Sequence, residues 1–254
     1  MSPYKNAFIT GASSGIGKAL CLELARRGTH VVAAARREGH LVELVKEIRS
    51  SGGCADGCVL DVRDHGRLRS ALHEWDERVN GFDLVIANAG VGSALPGDAL
   101  TWEQVENVVA VNFTAALATL VEGKQLMLPR GHGTLAATSS LAGLRGMPGS
   151  GAYSATKAGL QSFLESMELD LQGTGLRVID IQPGFVRSEM TDKNKFPMPF
   201  LWEVERAAKV CVEGLERGKP VIHFPWQMSW SLRVARVLPR WLWRRLATAA
   251  KPEL

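Results

Sequence analysis

The chain has 254 residues, 46% apolar and 22% charged, which suits one large α/β core. Its net charge of +4 is uneven: residues 226–254 carry six basic side chains against Glu253, so the remaining body is near −1, which gives no support for a nucleic-acid grip. The first apolar stretch, from Ala7, runs into a glycine loop and leaves no room for a secretion signal; no uninterrupted apolar run reaches the ~18 residues of a membrane span; and Cys21, Cys54, Cys58 and Cys211 read as free thiols of a reducing cytoplasm, with no second Cys/His pair to complete a metal site.

In chain order, short apolar runs alternate with longer amphipathic stretches, the pattern of βαβ units around a parallel sheet. Strands are expected at residues 6–10, 30–35, 57–60, 83–87, 133–138, 176–182 and 219–224. Helices are expected at 15–27, 38–50, 64–78, 101–128, 150–172 and 202–217. Gly28 stands just past the first helix as its C-terminal cap. Thr101 followed by Gln104 resembles a capping box. Pro129 closes a helix and Pro183 a strand. No repeat, low-complexity segment or linker interrupts the chain before about residue 225.

The first strand runs into TGASSGIG at residues 10–17. Gly11 permits a tight turn. Gly15 lets backbone N–H groups approach a pyrophosphate, and Gly17 lets the following helix sit close on the sheet. The turn at Ser13 and Ser14 and the helix start at Gly15 and Ile16 face the anion with the positive end of the helix dipole. The spacing is G-x-x-x-G-x-G rather than G-x-G-x-x-G, and glycine turns also occur for structural reasons alone; the strand before it and the helix after it favour a dinucleotide. The expected fold is therefore a Rossmann-type doubly wound parallel sheet of about seven strands flanked by helices. It is read as one domain over residues 1–225, with 226–254 as a basic, tryptophan-rich helical extension.

An acid about twenty positions beyond the turn holds an adenosine ribose 2′-OH, whereas an arginine there accommodates a 2′-phosphate. Here the second strand ends Ala33-Ala34-Ala35 and continues Arg36-Arg37, with no carboxylate. Arg36 is placed to pair with a phosphate bidentately and Arg37 to help; both would otherwise be solvated loop arginines. The expected cofactor is NADPH, ahead of NADH.

Tyr153 and Lys157, in YSATK, lie four residues apart and so share a helix face. A free tyrosine titrates near ~10, and a neighbouring ammonium is expected to lower that value, making Tyr153 a usable general acid or base. Ser140, thirteen residues upstream of the tyrosine, is expected to donate a hydrogen bond to a substrate carbonyl oxygen. A Y-x-x-x-K pair alone is common in helices. In company with TGASSGIG, ANAG (87–90), VNF with Asn112, SSLAG (139–143) and PGFVRSEM (183–190), in that order, the chain resembles the short-chain dehydrogenase/reductase family over residues 5–225.

The resemblance implies that Tyr153 is the proton donor in reduction, that Lys157 also binds the nicotinamide ribose hydroxyls, and that Ser140 positions the carbonyl. It implies that Asn112 kinks its helix and holds a water linking the lysine to solvent. Asp61 and Val62 would meet the adenine, Asn88, Ala89 and Gly90 would line the cofactor, and Pro183, Gly184 and Val186, with Ser188, would flank the nicotinamide. Ala87 replaces the first asparagine of the family's NNAG element, and Ser188 stands where threonine is usual. Ser139 neighbours Ser140, but the offset to the tyrosine and the following Leu-Ala-Gly favour Ser140. The implied activity is an NADPH-dependent carbonyl reductase acting on a ketone or aldehyde, or on the secondary alcohol in reverse. Alternatives are a lipid- or sterol-ketone reductase at a membrane surface, an alcohol dehydrogenase running toward oxidation and, in a different class, an NADP(H) sensor without turnover. A homodimer or homotetramer through the helices holding Asn112 and Tyr153 is also implied; Ala115, Ala116 and Ala118 suit such an interface and suit core contacts equally.

Residues 189–202 hold Met190, Phe196, Met198, Phe200 and Leu201, stiffened by Pro197 and Pro199. The segment reads equally as cover over an apolar substrate pocket or as a structural loop, and Lys193 and Lys195 define no anion site. Beyond it, four of the seven tryptophans lie between Trp226 and Trp243. On a helical wheel Trp226, Trp230, Val234 and Val237 share one side, with Arg233 and Arg236 beside them. Arg240 and Arg244 continue the stripe past Pro239, which splits the region into two short helices. The pattern suits a membrane surface. Packing on its own domain, on a second subunit or over the substrate entrance stays open.

Overall fold

The computed structural model describes residues 2–92, 97, 99–192 and 197–249. Seven strands, β1 (Asn6–Thr10), β2 (His30–Ala35), β3 (Ala55–Val59), β4 (Leu84–Ala87), β5 (Gly133–Thr138), β6 (Leu176–Pro183) and β7 (Val221–Phe224), form one sheet in the order β3-β2-β1-β4-β5-β6-β7. Every neighbouring pair is parallel. Parallel neighbours require long crossovers, and these are α1 (Gly15–Arg26), α2 (Glu38–Ser50), α3 (His65–Arg78), α4 (Trp102–Val109), α5 (Ala115–Met127), α6 (Gly151–Asp170) and α7 (Val204–Glu216). Two further helices follow β7, α8 (Trp226–Val237) and α9 (Arg240–Ala249), on either side of Pro239.

Strand alternation sends Ala7 and Ile9 of β1 to one face and Phe8 to the other. The first face is closed by Leu20 and Leu24 of α1, Leu44 of α2 and Leu215 of α7. The second is closed by Leu68 and Leu72 of α3, Leu120 of α5 and Leu160 and Leu164 of α6. Each such leucine, fully buried, contributes ~1.5–3 kcal/mol of transfer free energy. Cover on both faces explains why the strands read as nearly unbroken apolar runs.

Four expectations need correction. The third strand lies at Ala55–Val59, because its register pairs Val31 with Ala55, and the seventh starts at Val221. The single helix expected at 101–128 is divided into α4 and α5 by a π-helical turn, Ala110–Thr114. The cause is Asn112: buried, its carboxamide accepts from Val91 N–H (2.7 Å) and donates to Val91 C=O (2.9 Å), and the turn widens around it. The helix expected from Trp202 starts at Val204. Trp202 instead exchanges backbone hydrogen bonds with Phe185 and Arg187 and stacks on Phe224 at 5.0 Å. Other details follow the sequence: Gly28 adopts φ +94°, and the Thr101–Gln104 capping box is reciprocal. Among the described residues, the helical run Trp102–Arg130 is long and apolar enough to cross a membrane by length and composition; here its Val111, Ala115, Ala116, Leu120 and Met127 are buried against the sheet.

The strand order reverses between β1 and β4. Crossovers leaving that point diverge, so the loops after the strands splay apart and open a crevice at their carboxyl ends. The glycine turn, Asn88, Ser140 and Pro183 all stand on that edge.

Candidate active site

The glycine turn is shaped by what it cannot hold. Gly11 lies at φ +69°, and a Cβ there would sit 2.7 Å from Ala89 Cα; a Cβ on Gly17 would collide with Gly11 C=O. Gly15, at φ +54°, differs: among the described residues a Cβ there would meet only Ser188 Cβ, at 3.3 Å, so this glycine borders the crevice. Ser14 precedes α1 without capping it, and no acid lies in the first turn. Its Oγ accepts instead from Arg37 Nη2 (2.6 Å), while Arg37 also donates to Ser13 Oγ (3.0 and 3.1 Å) and pairs with Glu189 (2.8 Å). A helix start with no side-chain cap, bordered by an unobstructed glycine, fits the pyrophosphate of a dinucleotide.

Asn88 ties this turn to the next strands. Its N–H and that of Ala89 donate to Thr10 Oγ1 (3.0 and 3.1 Å), its side-chain amide donates to Thr10 C=O (3.1 Å), and its Oδ1 accepts from Thr138 Oγ1 (3.0 Å). The ends of β1, β4 and β5 are thereby fixed across the switch point. At the outer end of the crevice Arg36 is exposed and Val62 is buried. Asp61 is engaged by Arg63 (2.6 Å), which, with a smaller pull from Arg36, holds its carboxyl below the usual range. The two arginines thus differ: Arg37 is folded over the serines, and Arg36 stands open at the end of β2.

On α6, Tyr153 and Lys157 stack one turn apart. Lys157 is buried, donates from Nζ to Thr138 C=O (2.6 Å) and lies 5.7 Å from the centre of the Tyr153 ring. Ser140, in an extended conformation just after β5, accepts from Ala142 N–H (3.1 Å) and donates to Pro183 C=O (3.3 Å), with its hydroxyl near enough to the Tyr153 phenol to lower the phenol's pKa. Gly143 brings this turn onto α6: a Cβ there would lie 2.8 Å from the Lys157 carbonyl carbon. Gly90 closes the other side, 3.8 Å from Lys157 Nζ by the same measure.

The electrostatics correct one expectation. Burial raises the pKa of Tyr153, and Ser140 is the group that pulls it back down; the lysine is not. The amine is aimed at the Thr138 carbonyl and lies over the ring, while the phenolate form is penalised by loss of water. Burial also lowers Lys157, to about 8, with Asp180 opposing that shift.

The family profile described as short chain dehydrogenase matches residues 5–197. The chain belongs to the short-chain dehydrogenase/reductase family. An uncharacterized oxidoreductase of Myxococcus xanthus is 45% identical over 236 residues, 93% of each chain. A short-chain dehydrogenase/reductase from Burkholderia phymatum in complex with NAD superposes with a TM-score of 0.85 at 23% identity, covering 91% of this chain and 92% of the other. A short-chain dehydrogenase from Sphingobium yanoikuyae in complex with NADPH superposes with a TM-score of 0.81 at 25% identity, covering 93% and 97%. This short-chain dehydrogenase is thus an oxidoreductase with a nicotinamide dinucleotide site, and its likenesses include proteins holding either form of the cofactor.

Several residues of the site escaped the sequence reading. Ser139 turns inward and donates to the buried carboxylate of Asp180, whose other oxygen accepts from Gln182 Nε2 (2.6 Å). Burial raises the Asp180 pKa, with Ser139, Gln182 and Lys157 opposing. Gln161 donates to Ser140 C=O (2.7 Å) and so fixes the serine turn from α6. Thr191 accepts from Ser188 N–H (2.8 Å) and donates to Val186 C=O (2.9 Å), shaping the loop beyond β6. Only Asp180 had a sequence signal: an acid inside the apolar run LRVIDIQP, on the same strand face as buried Val178. Gly184 donates its N–H to Phe224 C=O (2.7 Å), and Val186 bridges to Trp202. In the segment expected to cover substrate, Met190 lies over Gly92, Phe200 is exposed, and Met198 and Leu201 are half-buried; Lys193, Lys195 and Phe196 lie outside the described residues. Among the described residues no group of three His, Cys, Asp or Glu side chains is arranged for a metal.

Proposed function

We propose that the protein is an NADPH-dependent carbonyl reductase for an apolar ketone or aldehyde. The observation that carries this reading is the convergence of the Ser140 hydroxyl, the Tyr153 phenol and the Lys157 amine at the carboxyl edge of β5. Nicotinamide, when bound, supplies the hydride that a carbonyl carbon accepts. Ser140 and Tyr153 donate hydrogen bonds to the carbonyl oxygen, where negative charge develops. Tyr153 then gives that oxygen its proton; a phenol raised by burial stays protonated at neutral pH, as a proton donor requires. Lys157, at about 8, is mostly an ammonium at neutral pH, a charge the Asp180 carboxylate favours, and would hold the nicotinamide ribose hydroxyls. Asn112 holds Val91, and with it the loop that carries Asn88, Ala89 and Gly90 along the cofactor. Ser13, Ser14, Gly15, Ile16 and Gly17 would hold the pyrophosphate, and Pro183, Gly184, Val186 and Ser188 would flank the nicotinamide.

The choice of NADPH is supported by charge at the end of β2. Arg36 and Arg37, not an acid, directly follow Ala35, Asp61 is turned to Arg63, and Arg36 is exposed. A 2′-phosphate would meet an arginine there, whereas a ribose 2′-OH would find no carboxylate. Met190, half of Phe200 and the sulfur of Met228 give the substrate side an apolar character.

The test is oxidation of NADPH and of NADH against a panel of apolar ketones and aldehydes. Turnover with a lower KM for NADPH is the expected result. Tight NADPH binding with no turnover on any member of a broad panel would favour the sensor reading instead.

A further inference from the structure

We infer that α8 and α9 form a docking surface for an anionic phospholipid membrane. The two faces of α8 have different fates. Ser229, Leu232 and Ala235 are buried, and Leu232, with Met228, packs on Leu141, Leu144 and Met147. The opposite face carries Trp226 (65% exposed), Trp230 (65%), Val234 (50%) and Val237 (80%), and α9 continues it with Trp241 (64%) and Leu246 (51%). An open apolar groove of about 500 Å³ runs between the two helices, with Trp230, Val234, Leu238 and Trp243 on its walls. Large contiguous apolar surface of this kind marks a contact site.

Charge selects the occupant. Between Trp226 and Ala249 stand Arg233, Arg236, Arg240, Arg244 and Arg245, all exposed, and no acid. A second copy meeting this surface about a two-fold axis would bring two identical sets of arginines together, with no carboxylate in the segment to neutralise either. An anionic lipid surface neutralises the clustered charge and also takes in the exposed tryptophans, whose rings settle at the headgroup level.

The surface is also held firmly against the catalytic edge. Arg145 donates to Arg236 C=O (2.6 Å) and Leu238 C=O (3.2 Å) and lies 5.4 Å from the Trp243 ring, while Trp243 Nε1 donates to Gly146 C=O (3.3 Å). The loop that receives these contacts follows Ser140 directly, and Met228 of α8 closes on Gly184, where a Cβ would meet its sulfur at 2.9 Å. Docking therefore sets the Ser140 end of the crevice one layer of side chains from the lipid, where an apolar substrate would be concentrated.

The experiment is co-sedimentation of the full-length protein with vesicles of phosphatidylcholine alone or mixed with phosphatidylglycerol, together with tryptophan emission. Binding to the mixed vesicles, a blue shift in emission and weakening by salt are expected. The variant Trp226→Ser/Trp230→Ser should bind about tenfold more weakly or worse, and so should Arg240→Gln/Arg244→Gln/Arg245→Gln. Both should keep their melting temperature and their turnover of a water-soluble carbonyl. No binding to mixed vesicles at low salt would overturn the inference. So would equal binding by both variants, or a wild-type dimer that the Trp226→Ser/Trp230→Ser variant abolishes. Vesicle binding is read without turnover, so its failure is separate from any failure of the reductase reading.

Discussion

At the carboxyl edge of the sheet polar groups are taken out of water, and along α8 and α9 apolar groups are left in it. Lys157 is 4% exposed and Asp180 6%, whereas Trp230 is 65% exposed and Val237 80%. Burying an amine and a carboxylate is costly unless each finds partners, and here Thr138, Ser139 and Gln182 provide them. Leaving a large apolar side chain in water forgoes ~1.5–3 kcal/mol of burial each time. Both regions depart from what folding alone favours, in opposite senses. The lesson is that such departures mark where something outside the chain completes the structure: a cofactor and a carbonyl in the crevice, a charged lipid surface at the tail.

The sharpest way to break the comparison is Tyr153→Phe, which keeps the ring and removes the hydroxyl. kcat should fall about 10³-fold or more, since the proton donor is lost. NADPH affinity, read by fluorescence titration, should stay within about twofold. Unchanged kcat would remove the catalytic half of the contrast.

Lys157 tests the cost of burial. Its pKa falls from 10.5 to about 8 in the folded chain, so the folded state holds this proton less tightly than the unfolded one. The penalty, about 3 kcal/mol, is fully present below about pH 8 and is relieved as pH rises from there toward 10.5. Lys157→Met removes the titrating charge. Its stability relative to wild type should therefore be most favourable near neutral pH and decline through that window, as measured by denaturant midpoints. A pH-independent difference would show that this burial carries no cost.

Arg36→Ala should raise the KM for NADPH about tenfold or more, the loss of one charge-assisted contact, while leaving the KM for NADH nearly unchanged. Equal losses would contradict the 2′-phosphate role. The smallest effect is expected from Arg145→Ala, about 1 kcal/mol in the attachment of the tail. Hydrogen exchange should quicken in α9 and leave α6 unaltered; slow exchange in both would show that Arg145 does not hold the helix pair.

Much of this was legible in the sequence because it rests on pattern. The seven apolar runs, the positive-φ glycines at Gly11 and Gly15, the four-residue step from Tyr153 to Lys157 and the two-sided α8 are periodic or conformational signals. What escaped rests on single long-range contacts. The resemblance implies that Asn112 kinks its helix, but nothing local says that it will do so while holding both backbone groups of Val91, or that Trp202 will stack on Phe224 and delay the start of α7. Position puts Arg36 first at the phosphate with Arg37 in support, but nothing local says that Arg37 will fold onto Ser13 and Ser14 and leave Arg36 open. The expected tuning of Tyr153 by Lys157 was reasonable for two groups in water. Burial reversed its sign and left the adjustment to Ser140.

The most direct measurement is product analysis after reduction of an apolar ketone with NADPH carrying deuterium at the transferable C4 position. Wild-type protein should yield an alcohol with one deuterium on the former carbonyl carbon, and Tyr153→Phe, at equal NADPH occupancy, almost none. Consumption of the labelled cofactor without label in the alcohol, or labelled alcohol from Tyr153→Phe at the wild-type rate, would contradict hydride transfer completed by a proton from Tyr153.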